Sequence, residues 1–460
     1  MKYIDEGKIC DLLAGAKKAM EKETGAILDK ARSLKRLALN ETAALLAVEE
    51  PHLIKKIFEA AAFVKNQIYG NRVVLFAPLY ISNYCANQCL YCAFQSGNSE
   101  LKRKYLTAEE IRSQTEWLLK SGQKRILIVA GESCIPGKSA VDYYIEAVEA
   151  VYSARVGSHY IKRVNINCAP LSVDDFKKLK ASHIGTFQLF QETYHEATYR
   201  KVHLKGPKSD PDNRLDAIDR AFMAGIDDVG IGPLYGLYDY RFETLAMMAH
   251  IEHLEKKFGI GPHTISVPRI EPAVGSEFSL RPPYQVSDSD FKKLVAVIRL
   301  SVPYTGMILT TRESSSMRDE LVSLGVSQIS AGSKTSPGGY SDTEKWDGQF
   351  TTSDRRSLDE LVEMLVEKGY IPSFCAACYR KERTGEAFMN LAKPGLIKGK
   401  CNVNALVTLK EYLDDFASKE VKDSGYRLIN KMKEELDEAT RAQLSRFFEE
   451  IDKGVRDEYV

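Results

Sequence analysis

Three cysteines stand close together in segment 83–95, NYCANQCLYCAFQ, with the spacing C-x₃-C-x₂-C: Cys85, Cys89 and Cys92. The other 452 of the chain's 460 positions outside this eight-residue window hold only six more of its nine cysteines. An iron–sulfur cubane has four irons, and thiolate is a suitable ligand for each of them. Three protein ligands leave one iron open, and an open position is where a metal site can do chemistry. The spacing therefore predicts a catalytic cubane; a zinc site or a ferredoxin-like electron carrier is the alternative.

A second group of three cysteines lies near the C-terminus, where Cys375 and Cys378 form C-x₂-C and Cys401 follows. A zinc knuckle is the first interpretation of such spacing. However, all eight histidines lie at or before residue 263, and no cysteine follows residue 401. A local zinc site would need a carboxylate or water as its fourth ligand. The ligand count favours a second cubane with an open corner.

The composition predicts a soluble enzyme rather than a nucleic-acid-binding or membrane protein. Net charge is +1, with 44% hydrophobic and 28% charged residues, so strong attraction to nucleic acid or to acidic membrane is not expected. Acidic residues at positions 5 and 6 do not suit a secretion signal, and no run approaches 18 apolar residues. The odd cysteine count, with six of nine in two groups, argues against a disulfide framework. We therefore expect a cytoplasmic protein.

Short β-rich runs alternate with stretches of helical period from residue 73 onward. Eight such runs are found, at 73–82, 125–133, 163–170, 185–193, 227–236, 263–270, 306–313 and 327–333. Eight β-then-α units predict an α/β fold, a complete (β/α)₈ TIM barrel; an open doubly wound sheet is the alternative. We predict an N-terminal helical extension at 1–70, the barrel at 71–369, and a helical, cluster-binding C-terminal domain at 370–460.

The barrel prediction places the two cysteine groups at opposite mouths. The first group follows the first strand, at the carboxyl end where barrel active sites lie. The second follows the eighth helix, which returns the chain to the other mouth, roughly 20 Å away. An internal channel would then be needed to pass a small product between them. His263 opens the sixth run at the second mouth, where an imidazole could bind an additional metal ion.

CANQCLYC resembles the C-x₃-C-x-aromatic-C motif of the radical S-adenosylmethionine (radical SAM) enzymes, with Tyr91 at the aromatic position. The resemblance implies that SAM chelates the open iron of a [4Fe-4S] cluster and is split to a 5′-deoxyadenosyl radical. It further implies that Gly131 and Glu132, in an AGE turn where the family commonly has GGE, meet the methionine amino group. Ile231 in GIGPL resembles the adenine-contacting segment, and Asn167 is a further candidate for polar contact to the cofactor.

Nearly the entire chain resembles the tyrosine lyases of [FeFe]-hydrogenase maturation, and the most specific segments are FCAACYR, RTGEAFMNLAKPG and CNVNAL. That family implies cleavage of the Cα–Cβ bond of L-tyrosine to p-cresol and dehydroglycine. Dehydroglycine then gives carbon monoxide and cyanide at a second [4Fe-4S] cluster with an additional labile iron, where an Fe(CO)₂(CN) unit is built. His263 stands where the family holds that iron. A low-potential electron donor and other hydrogenase maturation proteins are the implied partners.

The tyrosine carboxylate needs a cation, and Arg312 and Arg269, late in the seventh and sixth runs, are the candidates. Either could instead be a structural ion-pair partner. Three alternatives for the function remain. They are the tyrosine lyase of thiamine thiazole synthesis, an enzyme that sacrifices a second cluster as a sulfur donor as biotin synthase does, and a non-catalytic iron–sulfur scaffold.

Overall fold

Four helices precede the first strand. The computed structural model describes residues 1–16, 21–342, 347–381 and 383–460. Residues 17–20, 343–346 and 382, which fall in the three predicted regions, lie outside that description. The four helices are α1 (Glu6–Ala16), α2 (Glu21–Arg32), α3 (Leu39–Leu46) and α4 (Pro51–Tyr69). The buried face of α4 repeats at helical spacing and packs against the outer helices of the barrel.

Eight parallel strands close into a barrel, which confirms the predicted fold class. They pair in the order of the sequence, and β1 also pairs with β2, so that the sheet has no open edge between the first and last strands. The strands are β1 (Arg72–Ser82), β2 (Arg125–Ala130), β3 (Arg163–Asn167), β4 (Phe187–Gln188), β5 (Val229–Ile231), β6 (Thr264–Ser266), β7 (Gly306–Leu309) and β8 (Gln328–Ser330).

Helices return the chain between strands. They are α5 (Ala108–Lys120), α6 (Ala140–Ser153), α7 (Val173–Ala181), α8 (Glu196–Val202), α9 (Pro211–Met223), α10 (Tyr240–Phe258), α11 (Glu277–Leu280), α12 (Asp288–Ser301), α13 (Ser315–Leu324) and α14 (Leu358–Glu367), with a 3₁₀ turn at Pro207–Ser209. Nine of them, with at least one after each strand, begin at a Ser, Thr or Asp whose side chain accepts a backbone N–H of the first turn. Each such cap contributes about 1 kcal/mol.

A ninth strand begins the C-terminal segment. It is followed by five helices, so that the elements are β9 (Ile371–Ser373), α15 (Ala377–Arg380), α16 (Gly385–Ala392), α17 (Ile397–Asp415), α18 (Lys419–Glu434) and α19 (Glu438–Asp452). β9 pairs in parallel with Arg72–Val74, at the amino end of β1. This strand could not be predicted from the sequence, because three residues that include Pro372 show no alternating pattern. None of the helices in the described part of the chain combines the length and apolar character needed to cross a membrane.

Polar side chains and glycines meet in the middle of the barrel interior. A Cβ added at Gly230 would lie 2.6 Å from Oγ1 of Thr264 and 2.8 Å from Cγ of Gln188, so all three residues point to one place. Gly306 faces Gln328 in the same way, at 2.8 Å. Barrel interiors are ordinarily filled by layers of branched apolar side chains. The interior here departs from that pattern at these positions, and the internal channel stays a prediction.

Candidate active site

The first cysteine triad lies on the loop that follows β1, at the carboxyl end of the barrel. Segment 202–205, which begins at the last residue of α8, forms a short antiparallel bridge with that loop. The Gln88 N–H donates to the Lys205 carbonyl, and the Leu90 N–H donates to the Val202 carbonyl, each at 3.0 Å. Backbone hydrogen bonds thus fix the loop that presents the thiols. The triad consists of Cys85, Cys89 and Cys92.

The thiols of this triad fit a cubane better than a single ion. Among the described residues, no three His, Cys, Asp or Glu side chains are grouped so that they could hold one metal ion. In a cubane each cysteine binds a different iron, so the three sulfurs need to surround a cluster and not to meet at a point. Burial raises the pKa of all three thiols, that of Cys92 to about 11. A strongly charged metal group is what would hold such buried thiols as thiolates.

All three thiols line one cavity, which extends from the loop into the barrel. Its volume is about 150 Å³. Its wall includes side chains of the barrel strands, among them Leu127, Gln188 and Ser330. Charged side chains in its wall are Glu132, Glu192, Lys208, Arg214, Glu271 and Arg312.

Two ion pairs hold the wall of the cavity beside the cysteine loop. Oε1 of Glu132 accepts from Arg214 at 2.7 Å, and its Oε2 accepts from Asn87 at 2.9 Å. Lys208 donates to Glu192 at 2.6 Å. Burial raises the pKa of Glu132, but Arg214 and Lys208 outweigh that effect and hold it below its usual value. Glu132 is therefore an anion at neutral pH.

The sequence analysis did not identify Lys208 or Arg214 as site residues. Both belong to the segment 207–214, PKSDPDNR, which looks like an ordinary polar turn. Their carboxylate partners lie 16 and 82 positions earlier in the chain. Only the closure of the barrel brings these groups together, and no local pattern could have revealed them.

The second cysteine triad lies at the opposite mouth. Cys375 follows β9, and its carbonyl accepts from Arg125, at the amino end of β2, at 2.5 Å. Cys378 lies on α15 and Cys401 on α17. The neighbouring Cys378 thiol and the nearby Arg72 lower the pKa of Cys401. The three cysteines thus meet beside the amino ends of β1 and β2.

His263 lies immediately before β6, at this same mouth. Its ring packs against Phe388 on α16, with 4.5 Å between ring centroids. Nδ1 lies 3.2 Å from Oδ1 of Asp228, but neither atom has hydrogen-bond geometry to a described residue. Burial lowers the pKa of His263 to about 4, although Asp228 opposes the shift. The imidazole is therefore neutral at physiological pH, the form in which it binds metals.

Comparison with known proteins places this arrangement in a family. Residues 79–250 match the model of the radical SAM superfamily, and residues 266–371 match that of the biotin and thiamin synthesis associated domain. The crystal structure of HydG, a maturase of the [FeFe]-hydrogenase, is 48% identical with a TM-score of 0.96 and full coverage of both chains. HydG from Carboxydothermus hydrogenoformans is 41% identical with a TM-score of 0.84, over 96% of this chain and 97% of that one. The 2-iminoacetate synthase of Salmonella typhimurium is 32% identical over 76% of this chain and 90% of its own.

The chain belongs to the HydG family of radical SAM enzymes. Membership of the superfamily implies a [4Fe-4S] cluster and SAM as cofactors, and the first triad with its cavity fits both. Tyr91 and Asn167, like Gly131 and Glu132, line that cavity. The Tyr91 hydroxyl is 2.8 Å from Nε2 of His203. Ile231 is buried in the core and is not among the lining residues; Leu234, three positions later, is. The contact of Ile231 with adenine stays a prediction.

The two candidate arginines have different surroundings. Arg269 donates to both carboxylate oxygens of Glu313 and also to Asp288, and it does not line the cavity. The Arg312 guanidinium lies flat on Phe350, 3.3 Å from the ring centroid, and lines the cavity. Within the described residues Arg312 has neither an ion pair nor a hydrogen bond. Of the two, Arg312 is the one placed to meet a ligand.

The turn at Gly131 should be intolerant of any side chain. A Cβ there would lie 2.2 Å from the carbonyl oxygen of Tyr84, next to the first triad. Gly131→Ala must therefore displace the turn from the cysteine loop. We expect at least about a tenfold loss of SAM affinity, the equivalent of one to two kcal/mol of overpacking. The affinity would be measured by the change that SAM produces in the electron paramagnetic resonance spectrum of the reduced cluster.

Gly399→Ala is the matched control, because a Cβ at that position on α17 meets nothing within 4 Å. It should bind SAM as the wild type does. Unchanged SAM affinity in Gly131→Ala at full iron content would contradict the expectation.

Proposed function

We propose that this radical SAM enzyme is a lyase that cleaves the Cα–Cβ bond of L-tyrosine to p-cresol and dehydroglycine. The dehydroglycine is then converted to carbon monoxide and cyanide at the second cysteine triad, to build an Fe(CO)₂(CN) unit for hydrogenase maturation. A second [4Fe-4S] cluster with an additional labile iron would be held by Cys375, Cys378 and Cys401, with His263 as a ligand of that iron. A low-potential electron donor and other maturation proteins are the proposed partners.

The observation that carries this proposal is the meeting of the second triad and His263 at one mouth of the barrel. Cys375 is tied to Arg125 of β2, and His263 is packed on Phe388, which lies between Cys378 and Cys401 in the chain. A protein that only cleaved tyrosine would need the first site alone. Three cysteines and a neutral histidine gathered at the far mouth support a second metal centre with its own task.

Arg312 is proposed to bind the carboxylate of tyrosine. Its side chain is half-buried, lines the cavity, and places its guanidinium over the ring of Phe350, which limits the orientation of its donors. A planar fork of N–H donors suits a carboxylate. Because the guanidinium has no anion among the described residues, a substrate carboxylate would also satisfy its charge.

A polar passage along the barrel axis is proposed to connect the two sites. Oε1 of Gln188 and Oγ1 of Thr264 are buried and have no hydrogen-bond partner among the described residues, and Oδ1 of Asp228 lies further along with none. Such atoms are normally satisfied by water or by a polar guest. The glycines at 230 and 306 leave room beside them. Small, polar dehydroglycine is a suitable passenger for this route.

The second candidate function is that of a 2-iminoacetate synthase without the later steps. The match to the Salmonella typhimurium 2-iminoacetate synthase covers 90% of that protein's length, which favours shared tyrosine chemistry. In that case p-cresol would form, but the second triad would not be needed for any product. The fate of dehydroglycine distinguishes the two candidates.

Loss of two second-triad cysteines should separate the two activities. In Cys375→Ala/Cys378→Ala we expect p-cresol within about twofold of wild type, since the first triad is untouched, and loss of carbon monoxide and cyanide. The measurement is an anaerobic assay of reconstituted, reduced protein with SAM and tyrosine. Cys10→Ala/Cys134→Ala, which removes two exposed cysteines, is the control and should make all products. Carbon monoxide made by the 375/378 variant at the wild-type rate would refute the proposed second site.

Removing the guanidinium of Arg312 should weaken tyrosine binding and leave SAM binding unchanged. For Arg312→Met we expect KM for tyrosine to rise about 10- to 100-fold, the loss associated with a charged hydrogen bond. Arg312→Lys keeps the positive charge without the two-pronged donor geometry, so its KM for tyrosine should lie between those of the wild type and Arg312→Met. Steady-state p-cresol formation at varied tyrosine gives these values. A KM that does not move would assign the carboxylate to another group.

An apolar side chain that fills the barrel axis should stop the transfer of dehydroglycine between the two sites. Thr264→Leu places an apolar side chain beside Gln188 and Gly230, so carbon monoxide and cyanide should decrease at least about fivefold relative to p-cresol. The uncoupled dehydroglycine would appear as its hydrolysis product, glyoxylate. Thr264→Ser, which is smaller and still polar, is the matched control and should keep the wild-type ratio. Equal ratios in the Leu and Ser variants would exclude a route past Thr264.

A further inference from the structure

Glu271 is a carboxylate in the wall of the active-site cavity with no partner among the described residues. It follows β6, while Arg312 follows the neighbouring strand β7, and both side chains line the cavity. Within the described residues Glu271 has neither an ion pair nor a hydrogen bond, so it does not form a salt bridge with Arg312. Two opposite charges therefore face one cavity without contacting each other.

Such an arrangement contrasts with the other charges of the cavity. Glu132 is bound to Arg214 and Glu192 to Lys208. An unpaired carboxylate and an unpaired guanidinium on adjacent loops form a site for a molecule that carries both charges itself. An α-amino acid in its zwitterionic form has this chemistry, with its ammonium and carboxylate on one carbon.

The surroundings of Glu271 also suit proton exchange near neutral pH. Burial and the nearby Glu313 raise the pKa of Glu271 to about 7, against the opposing effects of Arg312 and Arg269. Glu313 comes from the loop after β7, where it binds Arg269. A carboxylate with its pKa near the working pH can both accept and return a proton.

The proposed reaction requires that proton to go somewhere. Tyrosine enters with an ammonium nitrogen, and dehydroglycine leaves with an imine nitrogen. The nitrogen must therefore lose one proton as well as one hydrogen atom before or during bond cleavage. Transfer of the proton from –NH₃⁺ to a carboxylate gives –NH₂ and a carboxylic acid, with no change in electron count. The cavity needs a base at the amino group.

We propose that Glu271 binds the ammonium group of the amino-acid substrate and accepts one proton from it, while Arg312 holds the carboxylate. This inference rests on the proposed function, since it takes tyrosine as the substrate. It makes Glu271 a catalytic residue in addition to the predicted Arg312. The residue lies between the sixth strand and α11, where the sequence IEPAVG gives no indication of a base.

The test compares Glu271→Gln with wild type on two ligands. Tyrosine carries the ammonium group, and 3-(4-hydroxyphenyl)propionate lacks it but keeps the carboxylate and the phenol. In Glu271→Gln we expect the KM for tyrosine to rise about 10- to 100-fold. The inhibition constant of the deamino analogue should stay within about threefold of wild type. Glu277→Gln, an exposed carboxylate on nearby α11, is the matched control and should change neither value.

The pH profile gives a second readout. In the wild type, p-cresol formation at low tyrosine should fall as pH decreases through about 7, because protonated Glu271 cannot accept the proton. Glu271→Gln should instead rise about tenfold per pH unit from 6 to 9, following the neutral-amine form of tyrosine itself. Glu271→Asp keeps a carboxylate, so its p-cresol formation should still decrease at low pH. This variant tests the role of the base even if Glu271→Gln folds poorly. SAM binding and iron content report on folding in each variant.

The outcomes separate the two proposals. Wild type that makes no p-cresol from tyrosine overturns the proposed function, and the role of Glu271 with it. Suppose instead that the wild type makes p-cresol and that Glu271→Gln has the wild-type KM for tyrosine and the same loss of activity at low pH. That result overturns only the inference about Glu271. Equal weakening of tyrosine and of the deamino analogue would also overturn it, because the effect would then not depend on the ammonium group.

Discussion

Every strand of the barrel runs in one direction, and this fixes the two cysteine triads at opposite ends of a single sheet. The first triad follows the carboxyl end of β1. The second is reached through β9, which pairs with the amino end of that same strand. At about 3.3 Å per residue, the 11 residues of β1 extend roughly 30 Å or more. Contact between the two sites is impossible over that length, so a product made at one must diffuse to reach the other.

The charges of the first cavity divide into two classes with different roles. Glu132 with Arg214, and Glu192 with Lys208, are buried ion pairs that satisfy each other and build the wall. Removing one member of such a pair leaves a buried charge, which costs several kcal/mol. Glu271 and Arg312 are not satisfied in this way. A cavity keeps unpaired charges at a cost in stability, and recognition of a charged ligand is the physical reason to keep them.

Much of this arrangement could be predicted from the sequence, because it depends on local patterns. The cysteine spacings, the eight β-rich runs and the turn after the second run are each visible within about ten residues. β9 was missed because it is short and contains Pro372. Lys208 and Arg214 were missed because their partners lie far away in the chain, and Glu271 because only the closed barrel places it in the same cavity wall as Arg312. Ile231 is buried in the core, and its contact with adenine stays a prediction.

The second mouth shows how the fold itself is prepared for negative charge. Arg72 and Arg125 begin β1 and β2, and the Nε atom of each is buried without a partner among the described residues. Burial and the neighbouring Arg163 lower the pKa of Arg125 to about 9. Cations in this condition destabilise a protein unless an anionic group lies near them. Three thiolates and an iron–sulfur cluster would supply that charge. Because Arg125 also anchors the turn after β9 to the barrel, through the Cys375 carbonyl, loading of the metal site and ordering of the C-terminal segment are expected to be linked.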